Sequence, residues 1–179
     1  MNRFKREVTV IKRENAKKII STVLVLTMMA FIFWFSAQPA DDSDDMSLSV
    51  GGLIGQIFIP DFSEMTPEEQ LEFAERINHP VRKLAHATEY AALGFLITAM
   101  FGAYGFERWR RFVISWGCAI LYAGTDEFHQ LFVPGRSGQL KDVAIDSAGA
   151  LAGVLLCLAA AVLLAYLQKR KEGASLHSA

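Results

Sequence analysis

Residues 82–104, RKLAHATEYAALGFLITAMFGAY, decide the fold. From residue 84 onward the stretch is long and apolar enough to span a bilayer core, which takes about 20 helical residues. Yet Arg82, Lys83, His86 and Glu89 stand at one end of it. Arg82, His86, Glu89, Tyr90 and Leu93 recur at helical spacing and share a face. Ionisable groups in a spanning segment are costly, so they face a protein interior or a wet cavity and mark a site.

Three further stretches read the same way, at 19–35, 112–133 and 143–167. Ser36 and Gln38 finish the first. Asp126, Glu127, His129 and Gln130 close the third, while Asp142 and Asp146 open the fourth. Consecutive spans alternate in direction, so all four polar clusters fall at one membrane face. The expected fold is therefore an all-α integral membrane protein with about four transmembrane helices in an antiparallel bundle.

The composition agrees. Of 179 residues, 52% are hydrophobic and the net charge is −1, above the apolar usage of about 45–50% in soluble domains and without the basic excess that nucleic acid requires. Cys118 and Cys157 both lie within apolar segments and read as small packing residues. The first span reads as an uncleaved anchor. Its leader is long, Phe33-Trp34-Phe35 is bulky, and the small residues Ser36-Ala37 that follow make no clean A-x-A cleavage site.

Lys and Arg placement sets the orientation. Thirteen of the 18 basic residues lie in the N-terminal leader, the 108–111 loop and the C-terminal tail; five (Arg76, Arg82, Lys83, Arg136, Lys141) lie on the other side. Both termini are expected in the cytoplasm. This divides the chain into a basic tail at 1–18, a membrane domain at 19–167 with an outer loop at 36–83, and a tail at 168–179, both tails reading as flexible. The polar clusters would face the extracytoplasmic side.

Within the outer loop, Asp41-Asp42-Ser43-Asp44-Asp45 reads as a solvated linker, and the apolar run 48–59 is too short to span. Thr66-Pro67-Glu68-Glu69 is a helix start, with a capping hydroxyl, proline at the first position and acids near the positive dipole end. Pro80 is expected to separate that helix from the second span. Gly149 and Gly153 form a G-x-x-x-G step that admits a close backbone, within the bundle or between protomers. Trp34, Tyr90 and Phe132 read as interface-belt aromatics.

The polar residues suit several chemistries. His86 or His129 would act as general base, with Glu89 or Asp126 orienting the imidazole. Arg82 and Arg136 would hold a phosphate or carboxylate, with Gln38, Glu127, Gln130, Asp142 and Asp146 around them. No nucleophile elbow surrounds Ser36 or Ser137. A divalent metal on His86, Glu89, Asp126 and His129 is an alternative, though not the favoured one. Pure binding of a lipid-linked or lipoglycopeptide ligand fits equally well. So does a structural network in which Arg82 pairs with Glu89 and Arg136 with Asp142 or Asp146.

Phe35-Ser36-Ala37-Gln38-Pro39, Arg82-Lys83-Leu84-Ala85-His86-Ala87-Thr88-Glu89-Tyr90, Asp126-Glu127-Phe128-His129-Gln130-Leu131-Phe132-Val133-Pro134-Gly135-Arg136, and then Asp142 and Asp146, together resemble the VanZ-like bacterial membrane proteins. The resemblance runs from about residue 36 to 153. It implies a small multi-pass protein of the bacterial plasma membrane, and a link to cell-envelope antibiotic resistance through a namesake associated with the glycopeptide teicoplanin. It implies no particular reaction, so enzyme activity stays open. The partners to expect are membrane lipid and an amphiphilic envelope ligand, not nucleic acid; the sequence does not set the oligomeric state.

Overall fold

The computed structural model of the chain describes residues 2–177, with side chains from residue 9 to 173. Arg3, Lys5 and Arg6 of the basic leader lie outside the described side chains. Five helices follow one another: α1 (Asn2–Ser36), α2 (Ala40–Phe58), α3 (Pro67–Ala103), α4 (Arg108–Gln130) and α5 (Leu140–His177), with a single 3-10 turn at Phe62–Glu64. No strand occurs among the described residues.

Three of these helices, α1, α3 and α5, are long and apolar enough to cross a membrane. The 23 residues of α4 reach about 34 Å at the helical rise, but Asp126, Glu127 and His129 lower its mean hydropathy. It packs against both α3 and α5, and α1 packs on α3. Four helices therefore make the bundle. Their outward faces are apolar, with Ile19, Val23, Leu26, Leu155, Leu163 and Leu164 all exposed. In a bilayer these side chains meet lipid.

The bundle is closed by small residues. A Cβ built on Gly149 would land on the Ala87 carbonyl oxygen, and one on Gly153 on that of Ala91; on Gly94 it would meet the Ala150 carbonyl. The glycine step thus packs within the bundle, drawing α3 and α5 into backbone contact. Ile32, Tyr90, Leu93, Ala119, Ala123 and Ala150 fill the remaining core. Tyr90 is fully buried, so the packed interior claims it rather than the interface belt, while Trp34 and Phe132 remain exposed. Cys157 is buried and Cys118 exposed, both free.

The connection from α3 to α4 is a Schellman turn: Gly105 takes φ +82°, its N–H bonds the Gly102 carbonyl and the Phe106 N–H bonds that of Phe101. The Phe101 and Phe106 rings meet at 5.0 Å, the apolar contact that accompanies this motif.

Outside the bundle the chain differs from expectation. The acidic run is not a linker; it opens α2, with Asp41 and Asp42 in the first turn, where the helix dipole favours carboxylates. The apolar run continues the same helix. Gly51 lies against Ala74 and Gly55 under the Phe62 ring, so α2 runs along the first half of α3. Thr66 caps α3 as expected: its hydroxyl accepts from the Glu69 N–H and the Glu69 carboxylate accepts from the Thr66 N–H at 2.8 Å. But α3 continues through Pro80 as one helix of 37 residues, about 55 Å long and well beyond a hydrocarbon core of about 30 Å. Its first half and α2 form a helical hairpin beyond the bundle end. At the termini, α1 starts at Asn2 and α5 runs to His177, so the expected tails are helical extensions of the spans.

Candidate functional site

Each bundle helix brings polar groups to the end that carries the hairpin. Ser36, in the last turn of α1, is fully buried and donates from its hydroxyl to Asp126 Oδ2 at 2.8 Å. Asp126, Glu127 and Gln130 are all buried in the last turns of α4. Glu127 accepts from the Gln139 N–H at 2.9 Å and from the Gln130 amide at 3.3 Å, so its carboxylate caps the entry to α5. Asp142 pairs with Lys83 at a site shielded from solvent. Asp146, one helical turn deeper, is 1% exposed.

Arg136 stands in the loop between α4 and α5, where Gly135 makes the turn at φ +73°. Its guanidinium donates to the Gln38 carbonyl at 2.9 Å and to the Phe35 carbonyl at 3.3 Å. The Phe35 carbonyl lies in the last turn of α1 and the Gln38 carbonyl just beyond it, so Arg136 ties the loop to the end of that helix. Guanidinium has five N–H donors, and the two used here leave others available. Burial, and then the neighbouring Arg82 cation, push the Arg136 guanidinium below its ordinary range. A doubly cationic, partly dry position of this kind is suited to an anion.

Two cavities meet at this point. One is a groove of about 500 Å³ between α2 and α3, walled by Phe35, Met46, Val50, Ile54, Leu84 and Ala85. The other is a polar cavity of about 140 Å³ lined by Lys83, Glu127, Gln130, Gln139, Asp142 and Asp146. Arg82, His86 and Arg136 belong to both. The groove volume is within the usual range for small-molecule sites, about 300–1,000 Å³. An apolar channel and a charged chamber therefore adjoin through two guanidiniums and an imidazole.

The expected site residues fall into distinct places. His86, Asp126 and Asp146 converge from α3, α4 and α5, each offering a ligand atom within 4.8 Å of the others. Glu89 lines the apolar groove and stands outside that group. So does His129, whose ring stacks on Phe33 of α1 with centroids 4.4 Å apart. Arg82, Arg136, Glu127, Gln130, Asp142 and Asp146 line the polar cavity. Gln38 contributes its carbonyl; its side-chain amide turns back to the Trp34 carbonyl.

The ion pairs also differ from expectation. Arg82 reaches Asp44 of α2 rather than Glu89, and Lys83 takes Asp142, while Arg136 is engaged with backbone. Asp44, Ser36 and Lys83 also take part in the site, although no role was expected of them. Lys83 and Ser36 did stand inside the quoted motifs, whereas nothing in the acidic run distinguished Asp44 from its neighbours.

A protein-family model described as VanZ/LLP1 matches residues 21–164, which reaches into all four bundle helices and takes in every site residue above. No curated protein and no solved structure matches the chain significantly.

Proposed function

Since the chain belongs to the VanZ/LLP1 family, we propose that its polar bundle end binds an anionic amphiphile of the bacterial cell envelope. The acyl tail lies in the apolar groove, and the phosphate or carboxylate headgroup sits against Arg82 and Arg136. One observation carries this reading: the groove and the polar cavity share those two arginines and His86. Tail and headgroup chemistry thus meet where an amphiphile needs them to. The Lys and Arg asymmetry between the two sides of the bundle supports a site at the extracytoplasmic face of the plasma membrane.

A lipoglycopeptide such as teicoplanin carries both an acyl chain and anionic groups, so protection against it is the cellular role to test. Cells lacking the protein are complemented with wild type or with Arg82→Gln, membrane levels are matched, and susceptibility is measured to teicoplanin and to a glycopeptide without an acyl chain. Protection confined to the acylated drug, and lost with Arg82→Gln, is the expected result. No protection by well-expressed wild type would remove the resistance role, and equal protection against both drugs would remove the tail-binding groove from it.

A second reading adds hydrolysis or group transfer at the bound headgroup. It is favoured by His86, which stands where both cavities meet and whose Nδ1 is buried without a hydrogen-bond partner. An imidazole so placed is available as a general base.

A further inference from the structure

We propose that His86, Asp126 and Asp146 form a binding site for a divalent transition-metal ion at the inner end of the polar cavity. Three helices each deliver one of these side chains, with ligand atoms within 4.8 Å of one another. Close carboxylates alone do not make a site, but these are not solvated acids. Asp126 is 3% exposed and Asp146 1%, and among the described residues Asp126 Oδ1, Asp146 Oδ2 and His86 Nδ1 are buried without a hydrogen-bond partner. Buried polar atoms are nearly always paired. Three orphans on three helices belong to one cluster, beside the equally unpartnered Tyr90 hydroxyl, and call for a common partner.

That partner is a cation. The nearby Lys83 ammonium pairs with Asp142 and Arg82 with Asp44, while Arg136 donates to two backbone carbonyls. Among the described residues no protein cation forms an ion pair with either buried carboxylate. The donor set identifies the class: imidazole nitrogen with carboxylate oxygen suits zinc and related transition metals, whereas calcium and magnesium favour all-oxygen sites. Ser36 holds Asp126 Oδ2 at 2.8 Å, the outer-shell contact that orients a ligating carboxylate, and leaves Oδ1 as the oxygen that ligates. Three protein ligands leave a coordination position open, as in catalytic rather than structural zinc sites. His86 and Asp146 line the polar cavity, so that position faces the chamber. The site does not depend on the proposed amphiphile.

The full chain is purified in detergent without chelator, exposed to Zn²⁺ or Mn²⁺ separately and desalted, and metal per chain is measured by mass spectrometry. Wild type is expected to retain a single ion per chain. Asp146→Asn and His86→Gln should each weaken retention roughly tenfold or more, while His129→Gln, which removes a histidine outside the cluster, keeps it. In parallel, chelation should lower the thermal midpoint of wild type but not of Asp146→Asn. A monodisperse helical wild type that retains neither metal and melts unchanged with chelator overturns the site. Equal loss from His129→Gln overturns it too, since binding would then be by histidines at large. Should Asp146→Asn fail to fold, the chelator shift of wild type and the contrast between His86→Gln and His129→Gln decide the matter.

Discussion

Ser36 at the end of α1 and Asp126 near the end of α4 are joined by a buried hydrogen bond of 2.8 Å across 90 residues of sequence. It fixes the level at which α1 meets the rest of the bundle and orients the carboxylate that stands with His86 and Asp146. Removing the hydroxyl leaves a second oxygen of Asp126 without a partner in a dry setting. Ser36→Ala is therefore expected to cost about 1–2 kcal/mol, read as a lower unfolding midpoint in detergent. An unchanged midpoint would mean that the Asp126 carboxylate is satisfied elsewhere.

The approach of α3 to α5 makes a sharper prediction. At Gly153 a side chain would strike the Ala91 carbonyl, which is backbone and cannot turn aside. Gly153→Val should force the helices apart and cost about 1–3 kcal/mol or more, seen as loss of monodisperse protein. Gly117 sits on α4 with open space beyond it. Gly117→Ala should be neutral or stabilising by roughly 0.5–1 kcal/mol, because alanine favours the helix. Similar behaviour of the two variants would contradict the packing described.

Much of this bundle was legible because its signals are local. Apolar length marks a span, and ionisable groups within it mark the polar end. The Thr66 cap is complete within four residues. What escaped depends on contacts distant in sequence. Asp41 to Asp45 looked like linker because charge runs usually are, yet at a helix start their charge favours the helix. Pro80 looked like a break because it removes one backbone bond to Arg76. The helix persists because α2 braces both sides of it: Gly51 on Ala74, Ser47 bonded to Asn78, Asp44 paired with Arg82. His129 shares a broad face with Asp126, but a three-residue offset falls about 60° short of a full turn. That difference separates a ring stacked on α1 from a carboxylate that meets His86 and Asp146.

The pair Lys83–Asp142 ties α3 to the first turn of α5, and both side chains are largely shielded. A double-mutant cycle with Lys83→Ala and Asp142→Ala should give a coupling of about 0.5–3 kcal/mol. Each single change strands a charge, so the double variant should be more stable than the sum of the two predicts. Strict additivity of unfolding free energies would place the two groups apart and reopen Asp142 as a free ligand-binding carboxylate.

The two histidines give the test that separates site from scaffold. His86 borders both cavities, whereas His129 lines neither and stacks its ring on Phe33 at 4.4 Å; the Nδ1 atoms of both are buried without a hydrogen-bond partner. His86→Ala should abolish the protective phenotype, or binding of the amphiphile, while the protein reaches the membrane in normal amount. His129→Ala should keep the function and lose only the stacking contact, about 0.5–1.5 kcal/mol, visible in the melting midpoint alone. Quantitative blotting of membranes alongside susceptibility measurements distinguishes the outcomes. If both variants lose function at normal membrane levels, then His129 acts in the site despite its place against α1. If His86→Ala instead lowers folded protein and leaves activity per molecule intact, the imidazole is a packing element and the polar chamber works without it.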